Sequence, residues 1–106
     1  VLNKAMEDNI LQLGGNIELS GFSNIDGGTM IILKKIIGNY AKRMSGKTEN
    51  FEKLSLTMKT VHNNQFEVHA KLFDNGQQAN AETVDRVLFV AIDNALKKIM
   101  NEKGMI

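Results

Sequence analysis

At 106 residues the chain is long enough to bury one modest core and too short for two domains. It holds no cysteine, which excludes disulfides, thiolate metal sites and a cysteine nucleophile. Thirteen basic and 12 acidic side chains leave a net charge of +1, so any electrostatic preference depends on where the charges lie.

No apolar run approaches the roughly 20 residues needed to cross a bilayer. At the start, VLNKAMEDNILQLGG, the apolar block of a secretion signal is interrupted by Glu7, Asp8 and Asn9. A soluble cytoplasmic domain without a membrane partner is the expectation. Leu2, Met6, Ile10 and Leu13 recur at helical spacing, and Gly14-Gly15 closes the segment. This predicts a short N-terminal helix in an extension over residues 1–15. In NIELSGF (16–22), Ile17 and Leu19 alternate with Glu18 and Ser20, as a strand requires, and SNIDGG then turns the chain.

From Thr29 to Ser45 a long helix is predicted, because Leu33, Ile36, Ile37, Tyr40, Ala41 and Met44 share one side. Lys34, Lys35, Asn39, Lys42 and Arg43 fall on the other side, and Gly46 reads as a stop. Between Gly27 and Thr48 there are five basic residues and no acidic one. Such a block reads either as a solvated helix face or as a patch for an anionic partner.

Two alternating strands follow. In 52–61, Leu54, Leu56 and Met58 oppose Lys53, Ser55, Thr57 and Lys59. In 65–73, Phe66, Val68, Ala70 and Leu72 oppose Glu67, His69 and Lys71. HNNQ joins them, and Asp74-Asn75-Gly76 is a second hairpin turn leading to a weak strand over 77–81. A last helix is expected from near Asp85, as its cap, to about Glu102, and it carries VAIDNALKKIM. The expected class is α+β in the order β-α-β-β-β-α over residues 16–103. Its four-stranded, mostly antiparallel sheet has one apolar face, and both long helices must share it. Leu33, Ile37, Tyr40, Leu54, Leu56, Val68, Ala70, Leu88, Ile92 and Ile99 form the predicted core.

Catalytic signals are sparse: no Gly-x-Ser-x-Gly elbow, phosphate loop or metal-ligand spacing is present. Glu67 and His69 share a strand face and, with His62, make the only metal reading, but exposed strand positions account for all three. Gly27-Gly28 before the long helix reads as a turn. The expectation is no enzyme, no cofactor and no metal. Lys and Arg on a rigid helix can instead meet phosphates of structured RNA without reading bases. Lys35 and Lys42 lie two turns apart, roughly 10 Å along the axis, within reach of one backbone. Lys97 and Lys98 near the end of the second helix either complement its dipole or extend this surface. The open sheet face offers few aromatics for base stacking.

The segments NIELSGFSNID, LSLTMK and FEVHAKL-DNG, with the basic helix between the first two and VAIDNALKKI last, together resemble the N-terminal domain of the hibernation-promoting factors. That family includes the ribosome-associated inhibitor proteins. The most specific piece is Ala91-Ile92-Asp93 followed by Lys98-Ile99. The similarity spans about residues 16–101 and is that of a divergent member, with Val87 where the family usually has an acidic residue. It implies a fold like double-stranded-RNA-binding domains and a non-enzymatic role. Family members occupy the small ribosomal subunit between head and body, where mRNA and tRNA would bind. The expected partner is therefore the small subunit or other structured RNA, with Lys34, Lys35, Lys42, Arg43, Lys97 and Lys98 in contact. Lys53, Lys59 and Lys71 are weaker candidates. The alternatives are a protein-interaction or homodimerisation module and a constitutive ribosomal component. An oligomer is possible but not indicated.

Overall fold

The computed structural model describes residues 10–105. In chain order it contains β1 (Ile10–Leu13), β2 (Ile17–Ser20), α1 (Gly27–Lys47), β3 (Phe51–Val61), β4 (Gln65–Asp74), β5 (Gln77–Asp85) and α2 (Leu88–Glu102). A 3-10 turn, His62–Asn64, links β3 to β4. The strands form one five-stranded sheet in the order β1-β2-β3-β4-β5. The β2–β3 pair is parallel and the other three pairs are antiparallel. Parallel neighbours need a crossover, and α1 is that crossover.

Alternation decides which side is buried. Ile17 pairs with Leu54, Leu19 with Leu56, Leu54 with Leu72 and Leu56 with Ala70. Along β5, Ala79, Ala81 and Thr83 continue this inward face. Both helices cover it. Leu33, Ile37, Tyr40, Ala41 and Met44 of α1 enter one cluster with Leu88, Ala91, Ile92, Ala95, Leu96, Ile99 and Met100 of α2. All ten predicted core residues are buried. The α1 helix starts at a true cap. Asp26 accepts a hydrogen bond from the Thr29 amide (3.1 Å) and another from the Thr29 hydroxyl (2.7 Å). These bonds hold the Asp26 carboxyl below its ordinary pKa.

The structure corrects several expectations. The short helix over residues 1–15 is not what residues 10–13 form; Leu2 and Met6 lie outside the described residues. Ile10–Leu13 is a strand, because the Gly14-Gly15-Asn16 loop reverses the chain. Gly15 and Asn16 both take positive φ (71° and 65°), and Leu13 pairs with Ile17. The sheet therefore has five strands and is mixed. Gly46 does not stop α1, since it is not among the residues with positive φ; the helix runs to Lys47 and ends at Thr48. β5 is longer than the sequence suggests, pairing with β4 as far as Asp85 opposite Phe66. Asp85 thus ends a strand, and its side chain holds the Val87 amide at 2.8 Å just before α2 begins.

Two glycines carry conformational demands. Gly21 (φ 83°) ends β2 where any Cβ would collide with the Met58 carbonyl oxygen. In the β4–β5 turn, Asn75 (φ 52°) and Gly76 (φ 78°) are both left-handed, as a tight two-residue hairpin requires.

Candidate nucleic-acid interface

On α1 the buried stripe fixes what faces water. Lys35 and Lys42 project directly away from Leu33, Ile37 and Met44. Lys34 flanks them beside Ala41, and Arg43 flanks them on the side of α2. All four are exposed. Lys34, Lys35 and Lys42 make no ion pair or side-chain hydrogen bond among the described residues. Most other lysines are engaged. Lys53 pairs with Glu18 (3.3 Å), Lys59 with Glu67 (3.4 Å) and Lys103 with Asp74 (3.7 Å). Lys47 donates to the Met105 carbonyl at 2.9 Å.

A small polar cluster joins the helices. The Tyr40 hydroxyl donates to the Asp93 carboxylate. Lys97, one turn beyond Asp93, pairs with the same carboxylate at 2.9 Å, the favourable acid-before-base order on a helix. The Arg43 guanidinium lies 4.4 Å from the Tyr40 ring centroid, in cation–π range. Burial first, and then the Asp93 hydrogen bond and charge, push the Tyr40 hydroxyl up to about 12. Asp93 is held below its ordinary value, chiefly by the Tyr40 hydrogen bond and then by Lys97. Arg43 and Lys97, from different helices, are thereby gathered around one carboxylate.

Lys98 is not part of this group. Its ammonium donates to the Glu82 carbonyl on β5 at 3.1 Å, occupying an acceptor on the outer edge of the sheet. It also lines a groove of about 460 Å³ with Glu82, Thr83, Val84, Asn94, Lys97 and Asn101. The six expected contacts thus divide three ways: unpaired cations on α1, a pair clasped at Asp93, and one lysine turned to the sheet edge. The sequence reading placed Tyr40 in the core and missed its hydroxyl. The Asp93–Lys97 spacing of four was the one local signal for the cluster. Similarly, Gly27-Gly28 opens α1, but the Asp26 carboxylate already occupies the helix N-terminus there.

The open sheet face is organised differently. Lys53 bonds Glu18 and lies 5.7 Å from the Phe73 ring centroid. His69 has Glu67 at 2.7 Å from Nε2 and Glu82 at 3.7 Å from Nδ1. Lys71 is exposed on this face. Phe73 is its one phenylalanine, since Phe51 and Phe66 pack against the core, so a stack of bases finds no platform there. No protein-family model matches this sequence, and no curated protein matches it either. No helix among the described residues is long and apolar enough to cross a membrane.

Proposed function

We propose that this chain binds structured RNA through phosphate contacts made by α1, and that its target is the small ribosomal subunit. It acts there by steric occupancy, as a cytoplasmic translation regulator of the hibernation-factor type, with no chemical step. The observation that carries this reading is the set of unpaired cations Lys34, Lys35 and Lys42 on one rigid helix. In the same protein most other lysines are neutralised or hydrogen-bonded. Cations on a rigid helix are available to phosphate without first breaking an internal pair, and releasing counterions drives such binding. Arg43 and Lys97 extend the surface towards α2, held there by Tyr40 and Asp93. Resemblance to the hibernation factors in the order of segments supports the choice of the ribosome over other RNA.

The test is sucrose-gradient fractionation of cell extract, followed by a salt titration of the bound complex. Co-migration with the small subunit or whole ribosome is the expected outcome. Four or five phosphate contacts give a log–log salt slope of about −3 to −4.5. A peak only at the top of the gradient at low salt overturns the reading. A second reading, association of two copies through a sheet edge, draws on β1. There Ile10 and Leu11 are 45% and 39% exposed on an edge strand. Light scattering on the purified chain separates the two, since only the second requires a dimer.

A further inference from the structure

We propose that Glu67, His69 and Glu82, on the open face of the sheet, form a binding site for Zn²⁺. The site lies on the side of the sheet away from both helices and is independent of the RNA reading.

The register builds it. β4 and β5 are antiparallel neighbours, and His69 stands directly opposite Glu82. Glu67 is two residues before His69 and so shares its face. One ligand atom from each of the three lies within 4.8 Å of the other two. A tetrahedral Zn²⁺ with bonds of 2.0–2.2 Å needs donor–donor separations of about 3.3–3.6 Å. The Glu67–His69 separation, 2.7 Å at Nε2, is shorter than this, so these two donors part slightly to admit the ion. The outlying group is Glu82, which lies 3.7 Å from the other ring nitrogen, Nδ1; its side chain is 65% exposed and has the rotamer freedom to swing across to the ion. The paired strands hold the three Cα positions meanwhile.

Charge and donor type favour the same ion. Two carboxylates flank one imidazole, and Lys59 pairs with only one of them, 3.4 Å from Glu67. A dication neutralises both carboxylates where one lysine serves only one. One imidazole nitrogen with two carboxylate oxygens suits Zn²⁺, whereas Mg²⁺ and Ca²⁺ favour oxygen donors throughout. Three protein ligands leave a fourth position open for water or an anion. His62 takes no part, because it sits in the 3-10 turn beyond the end of β3. Glu82 replaces it as the third group, from a strand that only the pairing register brings alongside.

Titration calorimetry of the full chain with zinc chloride at neutral pH tests the proposal. One Zn²⁺ per chain is expected, with affinity reduced about tenfold or more in His69→Gln and in Glu82→Gln. His62→Gln should bind as the parent does, and circular dichroism should be unchanged in all three because these side chains lie on the surface. The Co²⁺ complex should show the visible absorption of a four- or five-coordinate ion in the parent and lose it in His69→Gln. The absence of saturable Zn²⁺ binding overturns the proposal. Equal affinity in His69→Gln overturns it too, as does loss of binding in His62→Gln.

Discussion

The outer face of α1 and the open face of the sheet are both polar and both carry lysines, yet they are built in opposite ways. On the sheet, cross-strand register sets acids beside bases. Glu18 meets Lys53, Glu67 meets Lys59, and Glu82 meets His69. On α1, the run from Gly27 to Thr48 contains no acid, so its outward cations have no neighbour one turn away to neutralise them. A strand face draws its pairs from elsewhere in the chain, whereas an outward helix face draws only on itself. Composition alone would rank the two surfaces together; only pairing separates them.

Charge reversal should break or confirm this contrast with the largest effect. Lys34, Lys35 and Lys42 changed together to Glu should abolish ribosome binding at physiological salt, read by co-sedimentation. Stability should change by no more than about 0.5 kcal/mol per site. Arg43 is left out of that set because Glu there would face Asp93 and disturb the Tyr40 cluster. The same reversal at Lys53, Lys59 and Lys71 should weaken binding less. Equal loss from both sets would reduce the contrast to diffuse electrostatics.

Next in size is the shared interior. Ile92 is fully buried between helix and sheet, and Ile92→Ala should cost about 2–5 kcal/mol by chemical denaturation. Both surfaces should then fail together as the protein unfolds, which distinguishes a core defect from the loss of one face.

Smaller and sharper is the clasp between helices. Tyr40→Phe removes one hydrogen bond to a charged but partly hydrated carboxylate, and should cost about 1 kcal/mol at neutral pH. Its pH dependence has a fixed sign. Tyr40 is raised from 10.0 to about 12. Its contribution is therefore complete below pH 10 and lost as pH rises towards about 12. Asp93 is lowered from 3.8, so its contribution is complete above that value and lost as pH falls through the folded one. Tyr40 is the sole tyrosine, and there is no tryptophan. Ultraviolet absorbance therefore follows this one ionisation directly. The midpoint should be near 12 in the parent and lower in Asp93→Asn, though still above 10, since burial is the larger cause.

The smallest effect belongs to the sheet face. Lys53→Ala breaks an exposed pair with Glu18 and should cost less than about 1 kcal/mol in a melting experiment. A larger cost would mean that pairing on this face contributes to stability well beyond setting its charge pattern.

Much of the architecture was determined locally and is legible in the sequence. The period of two in 52–61 and 65–73 and the helical period in 29–45 fix which side chains turn inward. Burial depends on that periodicity, so all ten expected core residues are inside. The basic face of α1 was legible for the same reason: its exposure follows from the stripe opposite. Ile10–Leu13 was not legible, because four residues fit either period and only pairing with β2 chose the strand. The length of β5 was likewise decided by its partner, β4. Lys97 and Lys98 are neighbours of one type, and no local rule separates them. Tertiary structure sends one to Asp93 and the other to the Glu82 carbonyl. The Tyr40–Asp93 bond spans 53 residues, and Glu82 reaches His69 from a different strand. Local sequence thus set each residue's direction through the periods of helix and strand, and the packed fold alone decided which directions meet.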